Sequence, residues 1–97
     1  MVEFDFVGRV IHWRGPAPFF YVEIPERVGE RIADLSRAVT YGWGMIPVDA
    51  TIGGTTWTTS MFPRDGGYLL PVKAAVRKAE SVELDATVEV TLRLRGT

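Results

Sequence analysis

IPVDATIGGTTWTTSMF, running from Ile46 to Phe62, decides how the chain folds. Gly53-Gly54 sits between two runs of strand-forming residues, the signal of a two-residue hairpin. TTWTTSMF is rich in β-branched side chains, which suit a pleated surface. Pro47 falls near the start of the first run, where a missing donor is tolerable. One hairpin is therefore set in the middle of the chain, and a mainly β protein grows outward from it.

Toward the C-terminus, PRDGG (Pro63 to Gly67) reads as a turn. Asp favours a turn start and Gly supplies positive φ, while a metal loop would need more oxygen ligands. YLLPV is a short strand, and a helix is predicted across Lys73 to Ala79. ATVEVTLRL then alternates with period two, so Val88, Val90, Leu92 and Leu94 should face inward.

Toward the N-terminus, YGWGM (Tyr41 to Met45) is a glycine-punctuated connector. Pro25 opens a helix over about 25–37, with Val28, Ile32 and Leu35 on one apolar stripe. FFYVEI is a strand, RGPAP (Arg14 to Pro18) a turn, and VEFDF opens the chain as a half-buried strand. The alternation slips after Phe6, which predicts a bulge at Gly8 that re-phases and bends the strand. The order is ββαβββαβ. It predicts one domain over residues 1–97, a small closed or partly open barrel of about six strands capped by two short helices. The predicted core includes Phe4, Phe6, Val10, Val22, Ile32, Leu35, Ile52, Trp57, Leu70, Val76, Val90 and Leu92.

The chain has 97 residues, 46% of them hydrophobic, which suffices for one modest core. It has no cysteine, excluding disulfides and thiolate metal sites and fitting a reducing cytosol. No apolar run has signal-peptide or membrane-spanning length. The net charge of −1 argues against broad nucleic-acid binding.

Catalytic patterns are missing. His12 is the only histidine and reads as a surface or barrel-wall residue. Ser36, Ser60 and Ser81 have no base near them in sequence, and Asp5, Asp49 and Asp65 read as solvated edges, turns or caps. No catalytic residue, metal site or cofactor is expected. The aromatic set is richer. Trp43, between two glycines, is read as a plug in the barrel end rather than an exposed anchor.

Lys73, Arg77 and Lys78 cluster on the second helix, with Arg64 in the preceding turn. Two readings compete. The plainer and preferred one packs Ala74, Ala75, Val76 and Ala79 against the barrel, with Arg77 capping carbonyls or pairing with a strand acid. In the other, Lys73 and Arg77 share one face and, with Arg64 and Trp43, mark an anion site beside the helix N-terminus.

WGMIPVDATIGGTTWTTSMFPRDGGYLLPVKAAVRKAE, Trp43 to Glu80, closely resembles the family of domain of unknown function 1905. The F-x-F-x-G-x-V opening, the FFYVEIP strand and the final V-x-V-x-L strand extend the resemblance over nearly the whole chain. It implies a small double-split β-barrel-like fold capped by helices, in a bacterial-type cytoplasmic protein with no established activity. Related barrels occur in swapped-hairpin transcription regulators and antitoxin partners, which bind DNA as dimers. One departure stands out. The family usually has glycine before Asp85, where this chain has Leu84, so a positive φ there would strain the turn.

The functional expectation is a non-catalytic ligand-binding or protein-interaction module, monomer or homodimer, taking an anionic small molecule or an acidic partner surface. The alternative, a DNA-binding dimer, is disfavoured because acids and bases interleave along the chain.

Overall fold

The Gly53-Gly54 hairpin joins β3 (Ile46–Ile52) to β4 (Thr55–Arg64), paired without interruption from Ile46–Met61 to Ile52–Thr55. Gly53 has φ 57°, which a β-carbon would strain, and this frees the turn to be two residues long. The computed structural model describes residues 3–13, 19–39, 45–64 and 67–95. The RGPAP turn, the 41–44 connector with Trp43, and Asp65-Gly66 lie outside the described residues.

The remaining elements are β1 (Glu3–Trp13), β2 (Phe19–Glu23), α1 (Glu26–Val39), β5 (Gly67–Val72), α2 (Ala74–Glu80) and β6 (Thr87–Leu94). The six strands close into a barrel in the order β1-β2-β5-β4-β3-β6, every neighbour antiparallel. β1 serves two partners. Its first part, Glu3 to Arg9, pairs with β6, and its last part, Val10 to Trp13, pairs with β2.

Gly8 lies near that exchange, and here the structure corrects the sequence reading. The β1–β6 register runs through Gly8–Val88 without a bulge. Phe4, Phe6, Gly8 and Val10 all face inward, while Val7 points out and is 55% exposed. The apparent slip came from Val7, an apolar side chain on the outer face. Gly8 has a different task. A β-carbon there would sit 2.5 Å from the carbonyl oxygen of Glu23 and 2.5 Å from Val22 Cγ1, so only glycine lets β2 cross so close.

Alternation from all six walls fills the interior. Val10, Val22, Ile46, Val48, Ala50, Met61, Leu70, Leu92 and Leu94 are fully buried, with Val28 and Ile32 of α1 entering from one end. Eleven of the twelve expected core residues are buried; Leu35 is packed against the core but only half-buried. Of the inward positions expected on β6, Val88 is likewise half-buried. Pro25 accepts from the amides of Val28 and Gly29, opening α1 where its own missing donor costs nothing.

The β4–β5 ladder covers only Phe62 to Arg64 against Gly67 to Leu69. Beyond it Pro71 has no donor to offer, and the indole Nε1 of Trp57 donates to the Pro71 carbonyl at 3.1 Å. A buried tryptophan thus bridges the gap that proline leaves between the strands.

The turn into β6 resolves the Leu84 question. Positive φ falls on Ser81 (53°) and Asp85 (66°), not on Leu84. Asp tolerates the left-handed region better than most residues, so Leu84 carries no strain. Restoring the family's glycine, Leu84→Gly, should therefore not stabilise the protein. We expect a loss of up to about 1 kcal/mol in denaturant unfolding, because glycine adds unfolded-state freedom without relieving anything. A clear gain in stability would contradict the observed turn.

Candidate functional site

α2 is seven residues long and begins where β5 leaves the sheet. Lys73 is its N-cap, extended at φ −66° and ψ 151°, with no side-chain capping bond. The amide of Arg77 donates to the Lys73 carbonyl at 3.0 Å, so the two cations stand one turn apart. At the other end, the amide of Val82 donates to the Arg77 carbonyl at 2.9 Å and Ser81 takes the left-handed cap.

The packed side of α2 is not the one the alanines suggested. Ala74, Ala75 and Ala79 are exposed, while Val76 is buried and Arg77 and Glu80 are half-buried. A single short turn touches the barrel along one narrow stripe, and residues three and four apart occupy it. Glu80 accepts a 2.6 Å hydrogen bond from Thr55 Oγ1, which ties the helix to the β3–β4 hairpin.

Arg77 therefore lies against the barrel. Its guanidinium carbon sits 3.9 Å from the centroid of Phe20, a cation–π stack. His12 approaches the same ring from β1, centroid to centroid 5.1 Å and tilted by 51°. Register explains the meeting: His12 pairs with Phe20, and Phe20 pairs with Val72, the residue before Lys73. Phe20 shares the inward side of β2 with Val22, but at the barrel rim, where α2 covers it. Arg77 Nε is buried with no hydrogen-bond partner among the described residues. Arg9, Arg93 and Arg95 on the sheet surface instead pair with carboxylates, at 3.5, 2.8 and 3.9 Å.

Arg64 does not join this rim. Arg64 pairs with Gly67 at the hairpin end of β5, whereas Lys73 follows the opposite end of that strand. Arg64 acts on Tyr21, whose phenol burial pushes up and the Arg64 charge pulls down. Trp43 lies outside the described residues. The sequence reading does not single out Phe20, and it takes His12 only as a surface or barrel-wall residue. The signal that finds them is strand phase: His12 follows Val10 and Phe20 precedes Val22 by two residues on the inward side.

On another wall, a groove of about 760 Å³ runs past Asp5, Val7, Arg27, Thr51 and Glu89. It is open, and Asp5 already accepts from Thr91 Oγ1 at 2.6 Å. Among the described residues no group of three metal-binding side chains occurs, and no helix is long and apolar enough to cross a membrane.

A family model, domain of unknown function DUF1905, matches residues 6–92. No curated protein matches the chain.

Proposed function

The chain belongs to the DUF1905 family, whose description assigns no activity, and from that premise we propose a non-catalytic binding module that takes an oxyanion at the α2 rim. The observation that carries this reading is Arg77. Its guanidinium is held on Phe20 with a buried Nε that has no acceptor among the described residues. An unsatisfied buried donor costs about 1–3 kcal/mol, and more when charged, so an arriving oxyanion recovers that cost. Lys73, exposed one turn away, adds charge, and Glu80 on the same helix is engaged by Thr55. The stack also removes much of the side-chain entropy that binding would otherwise spend.

The bound group is a carboxylate or phosphate, borne by a small molecule or by an acidic peptide. Titration with inorganic phosphate, with a small dicarboxylate and with an acidic peptide separates these sources. Double-stranded DNA serves as the arm for the nucleic-acid alternative. Lys73→Ala should leave stability within about 0.5 kcal/mol of wild type, as surface substitutions do. Arg77→Ala should cost about 1–2 kcal/mol through the lost stack and stem packing. Both should weaken oxyanion binding about tenfold, and Arg77→Lys should not restore it, because an ammonium lacks the fork. Loss of stability without any change in binding would leave Arg77 as architecture alone.

A further inference from the structure

The inward positions of β1 run Phe4, Phe6, Gly8, Val10 and then His12, so one polar side chain ends an otherwise apolar series. His12 is exposed, although its cross-strand partner Phe20 is half-buried and Arg77 stacks on that ring. A residue set there for packing alone would be apolar and covered, as Val10 is. Histidine instead keeps an imidazole beside the rim and open to solvent.

We infer, resting on the oxyanion site proposed at Arg77, that His12 is a third ligand of that oxyanion and binds it in the protonated form. Phe20 is the common platform: the Arg77 guanidinium carbon lies 3.9 Å from its centroid and the His12 ring 5.1 Å. The two groups are therefore no more than about 9 Å apart, a gap that one sulfate or phosphate group spans with hydrogen bonds of about 2.8 Å on each side. Between them the oxyanion meets the edge of Phe20, the positive part of the ring. A neutral imidazole packs on Phe20 without conflict. An imidazolium there stands near a second cation, and an oxyanion between the two replaces that repulsion with two attractions. Proton and oxyanion thus bind together, each raising the affinity for the other by the same factor.

The charged groups around His12 leave it as the one that switches. α2 brings Lys73, Arg77 and Lys78, together with Glu80, which Thr55 engages. On β1 the nearest charge is Arg9, and β2 brings only Glu23, which pairs with Arg9 at 3.5 Å. The turn before β6 bonds to Val10 through the Asp85 amide and the Ala86 carbonyl. It carries Glu83 and Asp85, and Asp85 lies 4.0 Å from Arg9. Histidine is the side-chain type whose charge changes between about pH 5 and 8, and His12 is the only one in the chain. Oxyanion binding at the rim therefore strengthens as pH falls through that range.

Sulfate is the probe, because it keeps its double charge over this range whereas phosphate does not. Titration of the full chain, followed by the backbone amides of Lys73 and Arg77, should show sulfate binding about tenfold tighter at about pH 5.5 than at about pH 8. His12→Ala should keep its circular dichroism and bind sulfate with one weak affinity at both. In wild type, saturating sulfate should move the NMR titration of the His12 ring up by about one pH unit, the same tenfold read from the proton's side. Equal wild-type affinity at the two pH values overturns the proposal. So does a pH dependence that survives in His12→Ala, or a His12 titration that sulfate leaves in place. Binding that is level with pH yet lost in Arg77→Ala removes His12 alone and leaves the Arg77 site standing. Sulfate that binds at neither pH removes both.

Discussion

Leu92→Ala should destabilise the protein by about 4 kcal/mol, in the upper part of the range for buried leucines. Leu92 is fully buried and stands on β6 between Phe4 of β1 and Ala50 of β3. Both neighbours are held in continuous ladders, so the wall cannot fold inward to fill the space. Ala50 is already the small partner in that row, and Trp57 on its far side is held in place by the bond from its Nε1 to the Pro71 carbonyl. The cavity therefore persists, and its surface adds to the lost transfer energy. Urea unfolding should show a lower midpoint with an unchanged slope. A loss below about 1 kcal/mol would mean the inward phase of β6 is wrong.

Gly8→Ala should be nearly as damaging, at about 3 kcal/mol, because the new carbon meets a backbone oxygen that cannot rotate away. The obstacle is the Glu23 carbonyl at 2.5 Å, with Val22 Cγ1 equally close. Relief requires β2 to move away from β1 where β1 passes from β6 to β2. In a closed barrel that displacement propagates to both neighbouring ladders. For a domain of this size each kcal/mol moves the melting temperature by about 4–8 °C, so a drop of more than about 10 °C is expected. An unchanged melting temperature would contradict the close crossing and return Gly8 to an ordinary strand position.

These two residues also show what the sequence could reveal. The phase of β6 was legible because Val90, Leu92 and Leu94 alternate with polar residues, and one period settles which face is buried. The β3–β4 hairpin and the α1 stripe were legible for the same reason: their patterns are local. Gly8 was misread because exposed Val7 broke the local alternation, while the contact that requires glycine comes from β2. Distance along the chain hid the rim in the same way. Phe20 meets Arg77 only after β2 pairs with β5 and β5 delivers α2. The alanines of α2 suggested a packed face by composition, yet the seven-residue helix rests on Val76, Arg77 and Glu80. Arg64 seemed near Lys73 because one short strand separates them. A strand is extended, so its six residues put them about 17–20 Å apart rather than together.

The central claim is that Arg77 is a fixed cation awaiting an acceptor. The most direct measurement is its own Nε–H resonance in a 15N-labelled sample, followed during titration with inorganic phosphate and then with an acidic peptide. The resonance should shift in step with the amides of Lys73 and Arg77 and the rings of Phe20 and His12. The shift should saturate, and Lys73→Ala should require about tenfold more ligand to reach it. An Nε–H resonance that stays in place at saturating phosphate and peptide, or that moves equally in Lys73→Ala, would contradict the account.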